Sequence, residues 1–366
     1  MAALKDLYTP AFYSGIAQCM TESIPGFNEA AFMRLIFSPA FDSMELKDRM
    51  RHTAVCLHHF MPDSYEEAVL LLQRLVDSLR AHGFWQERLE MMFLPNYIEV
   101  YGLEHLETSL AGMEFVTQYV SCEFAIRPFL NKYFDQTINR MLTWTQHPHA
   151  RVRRLASEGC RPRLPWGLSV PRLKKDPDPV LPILEALKND LDEAVRRSVA
   201  NNLNDISKEH PERVVKIAEA WKGHSKETDA IIKHGCRSLL KRGLESVLDH
   251  YGLNSKGISL NDFKILSPEV RIGDALSFTF RLCNNEEKAK TVRLEYAIYY
   301  MKANGQLTKK VFKISERIYQ AGQVETITRN QSFKLITTRR FYEGGHMLEM
   351  IVNGSVMATG DFKVYK

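Results

Sequence analysis

The stretch ARVRRLA at residues 150–156 recurs, with small changes, as AVRRSVA at residues 194–200. The two copies place Val152 and Val195 in equivalent positions, 43 residues apart. A third, weaker copy covers residues 230–241, AIIKHGCRSLLK. A sequence that returns at a period of roughly 40 residues predicts a row of similar structural units, each packed against the next.

The units of this row are predicted to be pairs of helices, with the VRR motif opening the second helix of a pair. The segments from Ser64 to Phe84 and from Leu181 to Leu191 have the three-and-four apolar spacing of amphipathic helices. Ser64 and Glu67 have the spacing of a helix capping box. Because one helix pair cannot bury its apolar face alone, such pairs stack into a curved solenoid. We therefore predict a HEAT-like helical-repeat solenoid over residues 1–252.

The hydrophobic period changes after this segment. Apolar and polar residues alternate in LSFTFRL at 276–282, in VRLEYAI at 292–298 and in LEMIV at 348–352. Turn-forming residues separate these runs, and a region of roughly 110 residues built in this way fits a two-sheet sandwich of immunoglobulin type. The predicted fold class is thus mainly α, with a C-terminal all-β immunoglobulin-like sandwich at residues 258–366. Residues 253–257 are the predicted linker.

The composition is that of an ordinary globular protein. The chain has 366 residues, of which 45% are hydrophobic and 25% charged. No apolar run reaches the roughly 18 residues that span a bilayer, and the first residues lack the layout of a signal peptide. We therefore expect no membrane partner and a cytoplasmic location. The six cysteines are scattered without metal-ligand spacing, which favours buried thiols over disulfides or a structural metal.

The net charge of +5 is unevenly distributed. Residues 1–130 have nine Lys and Arg against 17 Asp and Glu, a net charge of −8. Residues 131–255 have 22 against 16, and residues 256–366 have 18 against 11, which gives +6 and +7. A basic middle and end beside an acidic start suggest a face that binds a polyanion. Uneven solvated charge is the ordinary alternative.

The steepest imbalance lies in RVRRLASEGCRPRLPWGLSVPRLKK at residues 151–175, which has eight basic residues and one acid, Glu158. On a helix, Arg154 and Glu158 lie on one face, four residues apart. Gly159 and the prolines that follow end this helix, so that a rigid turn places Trp166 near its C-terminus.

An arginine-rich helix end beside an indole suits a nucleic acid, because arginine binds phosphate and the ring binds a base or a cationic group. An ionised carboxylate there orients a water or stabilises positive charge on a sugar. In the alternative interpretation Glu158 merely neutralises its neighbours and Trp166 packs in the core. Spacing alone favours that alternative.

Two further acids are candidates for the same site. Asp205 follows NNLN on the helix of the next repeat, and it lies in the same groove as Glu158 if the second helices line the concave face. A mid-helix Asp can instead cap a turn or face water. Glu123 is a lone acid in an apolar run, where it either belongs to the site or pairs with Arg127, four residues on.

The site residues stand in a sequence that resembles a known family. HPHARVRRLASEG at 147–159 and RPRLPWG at 161–167 resemble the AlkC-type DNA alkylation-repair glycosylases. VRRSVANNLNDISK at 195–208 is similar to the matching repeat of that family and of its AlkD-type relatives. The C-terminal sandwich is similar to the AlkC branch that has an immunoglobulin-like domain.

The resemblance implies a monofunctional DNA glycosylase of base excision repair. Such an enzyme hydrolyses the N-glycosidic bond of 3-methyladenine and 3-methylcytosine in double-stranded DNA, without a metal or an organic cofactor, and we expect it to act as a monomer. By resemblance Glu123, Glu158 and Asp205 are the site carboxylates. Trp166 is the aromatic surface for the cationic nucleotide, and Arg154 and Arg161 contact DNA.

Further basic residues are candidate contacts with the DNA backbone: Arg196, Arg197, Lys233, His234, Arg237 and Arg242. A solvated helix face is the alternative for those of the third repeat. Arg339 and Arg340 are weaker candidates in the sandwich, since basic strand ends are common there.

Two other functions fit the same features. A non-catalytic HEAT-repeat scaffold would explain the acidic N-terminal third, but it leaves the basic segment 151–175 without a role. A protein that binds damaged DNA without cutting it would explain the arginines, but carboxylates in its groove would repel phosphate. The acids therefore favour an enzyme.

Overall fold

A computed structural model describes residues 3–84, 88–335 and 340–366. The chain divides into two compact units, Met1–Gly235 and Cys236–Lys366. Arg339, one of the weaker DNA-contact candidates, lies outside the described residues. No helix in the described ranges is long and apolar enough to cross a membrane. All six cysteines are buried, with free thiols.

The first unit is helical over its described residues. Its helices are α1 Pro10–Ser23, α2 Glu29–Ile36, α3 Leu46–His58, α4 Tyr65–Ala81, α5 Phe93–Tyr101, α6 Leu106–Val116, α7 Ile126–Lys132, α8 Phe134–Trp144, α9 Ala150–Glu158, α10 Pro171–Lys175, α11 Leu181–Leu187, α12 Glu193–Ile206, α13 Pro211–Trp221 and α14 Lys226–Gly235.

The predicted repeats are confirmed as stacked helix pairs. Helices α8 and α9 contact each other, as do α11 and α12, and α13 and α14. The second helices of these pairs also contact one another, α9 against α12 and α12 against α14. Gly235 permits the close approach of α14, because a Cβ atom there would lie 2.9 Å from Cβ of Leu203 on α12. Two helices of this stack, α9 and α12, contain the candidate acids Glu158 and Asp205.

Local sequence signals define several helix ends. Ser64 caps α4 by accepting a hydrogen bond from the backbone N–H of Glu67 at 3.4 Å, which is one half of the predicted capping box. Asp192 caps α12 through the backbone N–H of Ala194 at 2.8 Å. The predicted helix from Leu181 to Leu191 is too long: α11 ends at Leu187, and Leu191 is 94% exposed. The apolar period continues past the turn, but Leu191 packs against nothing that buries it.

Over its described residues, the second unit contains two short helices and two sheets. The helices are α15 Arg237–Arg242 and α16 Glu245–His250. The strands are β1 Ile258–Ile265, β2 Glu269–Arg271, β3 Ala275–Asn284, β4 Lys290–Met301, β5 Leu307–Tyr319, β6 Val324–Ser332, β7 Gly344–Val352 and β8 Ser355–Tyr365. One sheet has the order β1-β3-β6 and the other β2-β8-β7-β4-β5.

The alternation seen in the sequence places one apolar face of each sheet in a shared core. Phe278 and Phe280 of β3, Leu294 and Ile298 of β4, and Met350 of β7 belong to one buried cluster. The immunoglobulin-like sandwich is therefore confirmed. The predicted limits of the two domains, 1–252 and 258–366, stay predictions; by their contacts the helices at 237–250 belong to the compact unit of the sandwich.

Candidate active site

The C-terminal end of α9 positions the first candidate acid. Helix α9 ends at Glu158, whose side chain faces inward and is only 5% exposed as a residue. Gly159 follows because a Cβ atom there would lie 2.7 Å from Cγ2 of Ile126. The chain then leaves the helix through Arg161, and the predicted helix end is thus observed.

Arg154 connects two carboxylates. Its Nη1 lies 2.9 Å from Oε2 of Glu123, and its Nη2 lies 3.8 Å from Oε1 of Glu158, one helical turn away. Ser121 donates a hydrogen bond to the same Oε2 of Glu123 at 2.9 Å. The structure therefore brings together three of the predicted site residues. The alternative pairing of Glu123 with Arg127 is wrong, because Arg127 turns to backbone carbonyls instead.

Arg161 connects Glu158 to the third candidate acid. Its Nη1 donates to Oε1 of Glu158 at 2.6 Å, and its Nε donates to Oδ2 of Asp205 at 2.9 Å. Lys208 reaches the other oxygen of Asp205 at 3.1 Å. Burial alone would lower the pKa of Arg161, but the two carboxylates outweigh burial and raise this pKa above its usual value. Arg161 therefore stays charged. Basic and acidic side chains alternate in the order Arg154, Glu158, Arg161, Asp205 and Lys208.

A cleft of about 400 Å³ lies between α9 and α12. Glu123, Glu158 and Arg154 line it, together with Arg197 of the next repeat. The remaining lining residues are Leu89, Met92, Val120, Ser121, Ala194, Ser198 and Asn201. Asp205 and Arg161 are not among the lining residues, and Asp205 is only 2% exposed. The carboxylates of Glu123 and Glu158 therefore line the α9–α12 cleft, whereas that of Asp205 is buried and contacts Arg161.

Trp166 projects into solvent from the loop that follows α9. It is 60% exposed, so the alternative that it packs in the core is wrong. Its φ of 63° lies in the left-handed region, which a bulky side chain rarely adopts. Lys47 of α3 donates to its carbonyl oxygen. Trp166 is not among the residues that line the α9–α12 cleft.

The two arginines of each VRR motif have different roles, and the repeat shows which. The first arginine turns back to the preceding loop: Arg153 donates to the carbonyls of residues 147 and 148, both at 2.9 Å, and Arg196 donates to those of residues 190 and 191 at 2.7 and 2.8 Å. The second arginine, Arg154 or Arg197, lines the α9–α12 cleft. Arg196, a predicted contact with the DNA backbone, thus already donates hydrogen bonds to the loop before α12.

The other predicted backbone contacts are divided between the two units. Arg197 pairs with Glu193 and is exposed, and it lines both the α9–α12 cleft and a second cavity of about 370 Å³ beside α14. His234 lines that second cavity and bonds to Asn201 at 3.1 Å. Lys233 neighbours it on α14, whereas Arg237 begins α15 of the second unit.

Comparison with known proteins identifies the family. Residues 116–238 match the family model described as "DNA alkylation repair enzyme", and residues 259–366 match "Uncharacterised protein YhaZ, C-terminal Ig-like domain". The uncharacterised protein YhaZ of Bacillus subtilis (strain 168) is 42% identical over 365 residues, which cover both chains completely. The alkylpurine DNA glycosylase AlkC of Pseudomonas fluorescens, solved bound to DNA with an abasic-site analogue, is 32% identical and covers both chains completely with a TM-score of 0.93.

The chain belongs to the AlkC-type DNA alkylation repair family. All three candidate acids of this AlkC-type protein lie within the stretch that matches the repair-enzyme model. Helix α3, which supplies Lys47 to the Trp166 loop, lies outside that stretch but inside the full-length match to AlkC.

Sequence patterns missed several residues of this AlkC-type site. Asn201 could have been found, because the 43-residue repeat places it where Glu158 stands in the preceding unit. Ser121 and Ser198 gave no signal, since single serines are common in any sequence. Arg127 was noticed only as a partner for Glu123, since no pattern in the sequence predicts hydrogen bonds to carbonyls 32 and 34 residues away.

Proposed function

We propose that this protein is a monofunctional DNA glycosylase that hydrolyses the N-glycosidic bond of cationic alkylated bases, 3-methyladenine and 3-methylcytosine among them. The observation that carries the proposal is the pair of carboxylates, Glu123 and Glu158, in an open cleft whose other charged groups are arginines. The kinship with an alkylpurine DNA glycosylase over the whole chain supports it.

A cleft that only binds DNA would avoid acids, since a carboxylate repels phosphate. Here the two carboxylates are kept beside cations in a half-enclosed space, where their charge is screened less than in water. An alkylated base carries a positive charge, and the sugar gains positive charge as the bond to that base breaks. Anions at close range stabilise both, and this favours chemistry over binding alone.

One oxygen of each cleft carboxylate is held in place. The ion pairs of Glu158 with Arg154 and Arg161 both use Oε1, and the contacts of Glu123 with Ser121 and Arg154 both use Oε2. We assign the remaining oxygens, Oε2 of Glu158 and Oε1 of Glu123, to the sugar and to the attacking water. A fixed carboxylate loses little freedom when it orients that water.

The leaving base needs no general acid, because it departs without the positive charge that it carried. For the same reason the reaction needs no metal or organic cofactor. Asp205 contributes through Arg161, whose charge it shares with Glu158. Arg154 and Arg197 supply positive charge for phosphate at the rim, and Trp166 offers an exposed ring for the cationic nucleotide.

The proposed partner is double-stranded DNA with alkylated bases, bound by one copy of the chain in the cytoplasm. The net charge of +6 over residues 131–255 supports a polyanionic partner. Lys233, His234 and Arg237 remain proposed contacts with its backbone, as does Arg196.

The test is release of free bases from duplex DNA treated with dimethyl sulfate, separated by chromatography. We expect 3-methyladenine and 3-methylcytosine to appear with time, and heat-denatured protein to release only the spontaneous background. If folded protein binds the methylated duplex but releases nothing above that background, it is a damage-binding protein. If it neither binds nor releases, a scaffold function remains.

A further inference from the structure

The loop that follows α9 is held from inside by one buried cation. Arg127 of α7 is 1% exposed. Its Nη1 donates to the carbonyl of Gly159 at 2.9 Å and to that of Arg161 at 3.0 Å, and its Nε donates to the carbonyl of Leu168. One guanidinium therefore joins the beginning of the loop to its end.

The carbon chain of Arg127 also sets how closely the loop packs. A Cβ atom at Gly167 would lie 3.0 Å from Cδ of Arg127 and 2.9 Å from Cδ2 of Leu164. Glycine is thus required where the loop passes over the arginine stem. Asn131, one turn further along α7, donates to the carbonyl of Ser169 at 3.0 Å. Helix α7 therefore fixes the loop at four carbonyls.

Burying the Arg127 guanidinium costs free energy of desolvation, which points to a function beyond filling space. Burial lowers the pKa of Arg127 to about 10, since a guanidinium loses its hydration there. The described bonds of Arg127 go to neutral carbonyls, which offset that loss less than a carboxylate would. An apolar side chain of the same length would fill the space at lower cost, but it could not tie three separate carbonyls together.

The tied loop carries two of the predicted site residues. Arg161 stands at its start, against Glu158 and Asp205. Trp166 stands near its end in the left-handed conformation, which persists only where the surroundings hold it. Of the three carbonyls that Arg127 binds, one belongs to Arg161 itself and one to Leu168, two residues beyond Trp166.

We propose that Arg127 is a positioning residue for base excision: by binding the carbonyls at both ends of the 159–168 loop, it sets Arg161 against Glu158 and holds Trp166 in its exposed conformation. Arg127 is buried and is not among the described residues that line the α9–α12 cleft, so we expect it to act through these two residues. The inference rests on the proposed glycosylase function, because positioning is measured as a rate.

The experiment compares Arg127→Met and Arg127→Lys with Arg153→Met. Arg153 of α9 is the control, since it also donates to backbone carbonyls, those of residues 147 and 148 before α9. It differs from Arg127 in that it also pairs with Asp190 at 2.6 and 3.0 Å. Methylated duplex is saturated with an excess of each protein, and the single-turnover rate of base release and the affinity for undamaged duplex are measured. We expect Arg127→Met to lower the rate about tenfold to a hundredfold, because a misplaced group costs that much.

The same variant is expected to bind undamaged duplex within about threefold of the unmodified protein, a binding difference below 1 kcal/mol. Arg127→Lys should recover part of the rate, since an ammonium reaches fewer carbonyls. Arg153→Met should lose stability but keep its rate. In a Trp166→Ala background, Arg127→Met should cost less than it does alone, because residues that act together are not additive.

A second readout needs no catalysis. Acrylamide quenching of Trp166 fluorescence is obtained by subtracting the signal of the matching Trp166→Phe protein. We expect Arg127→Met to change this quenching and Arg153→Met to leave it unchanged. If Arg127→Met, Arg153→Met and the unmodified protein release base at equal rates, or if Arg127→Met leaves the quenching of Trp166 unchanged, the inference is overturned and the proposed function stands. Release by none of them, the unmodified protein included, would refute the proposed function and the inference together.

Discussion

Arg161 and Arg163 are two residues apart, yet their environments differ completely. Arg161 is buried between Glu158 and Asp205, whereas Arg163 pairs with Glu209 near the surface. A buried charge that loses its partner stays desolvated, whereas an exposed one is solvated by water. How much an arginine contributes to the free energy of unfolding therefore depends on its surroundings.

Replacing Arg161 with Met should therefore lower the free energy of unfolding by about 3 kcal/mol, because it removes the buried cation between Glu158 and Asp205. Of the described ion pairs, Glu158 then keeps only that with Arg154 at 3.8 Å, and Asp205 only that with Lys208 at 3.1 Å. Arg163→Met should change the free energy of unfolding by less than about 1 kcal/mol. Urea denaturation followed by circular dichroism measures both. If both variants lose the same free energy of unfolding, Arg161 is not the buried link between Glu158 and Asp205 that we describe.

Trp166 offers a second contrast at a single position. Its backbone has a φ of 63°, and its indole is mostly exposed. Trp166→Ala and Trp166→Gly both remove the indole, but only alanine keeps a Cβ atom in the left-handed conformation. We expect the glycine variant to be more stable than the alanine variant by about 1 kcal/mol. The order of their urea midpoints tests this, and the reverse order would show that the loop does not keep that conformation.

Helix α9 and the turn after it illustrate what a sequence can predict. The VRR repeat, the end at Gly159 and the neighbouring positions of Arg154 and Glu158 follow from periods and turn residues, and the structure confirms them. The link from Arg161 to Asp205 spans 44 residues and depends on how two repeats stack, which local patterns do not define. For the same reason the partner of Arg127 could not be deduced.

The close packing at the end of α9 leads to a prediction for Gly159→Ala. The new Cβ atom would meet Ile126 Cγ2 at 2.7 Å and the carbonyl of Leu155 at 3.0 Å. We expect a loss of about 1–3 kcal/mol in the free energy of unfolding, together with slower base release as Glu158 shifts. Gly345→Ala is the control, since no atom of the described residues lies within 4 Å of its Cβ position. Equal stability of the two variants would contradict the packing described for α9.

The chain has a net charge of +5, and the salt dependence of its proposed binding to DNA reports how many cations take part. Log affinity for duplex DNA should fall linearly with log salt concentration. Arg197→Gln should reduce that slope by about 1, as one phosphate contact is lost. Arg196→Gln should change it less, because its donors already serve the carbonyls of residues 190 and 191. Equal slopes for Arg197→Gln and the unmodified protein would exclude Arg197 as a phosphate contact.

The central claim is that two carboxylates in one cleft perform the excision. The measurement that tests it most directly is the single-turnover rate of 3-methyladenine release by Glu123→Gln and Glu158→Gln, at enzyme concentrations that saturate the duplex. Glu107→Gln, which removes an acid of α6 paired with Arg140, is the control. We predict that both cleft variants bind the duplex but release base at least about a hundredfold more slowly, while Glu107→Gln keeps the full rate. Full release by Glu123→Gln and Glu158→Gln would contradict the account.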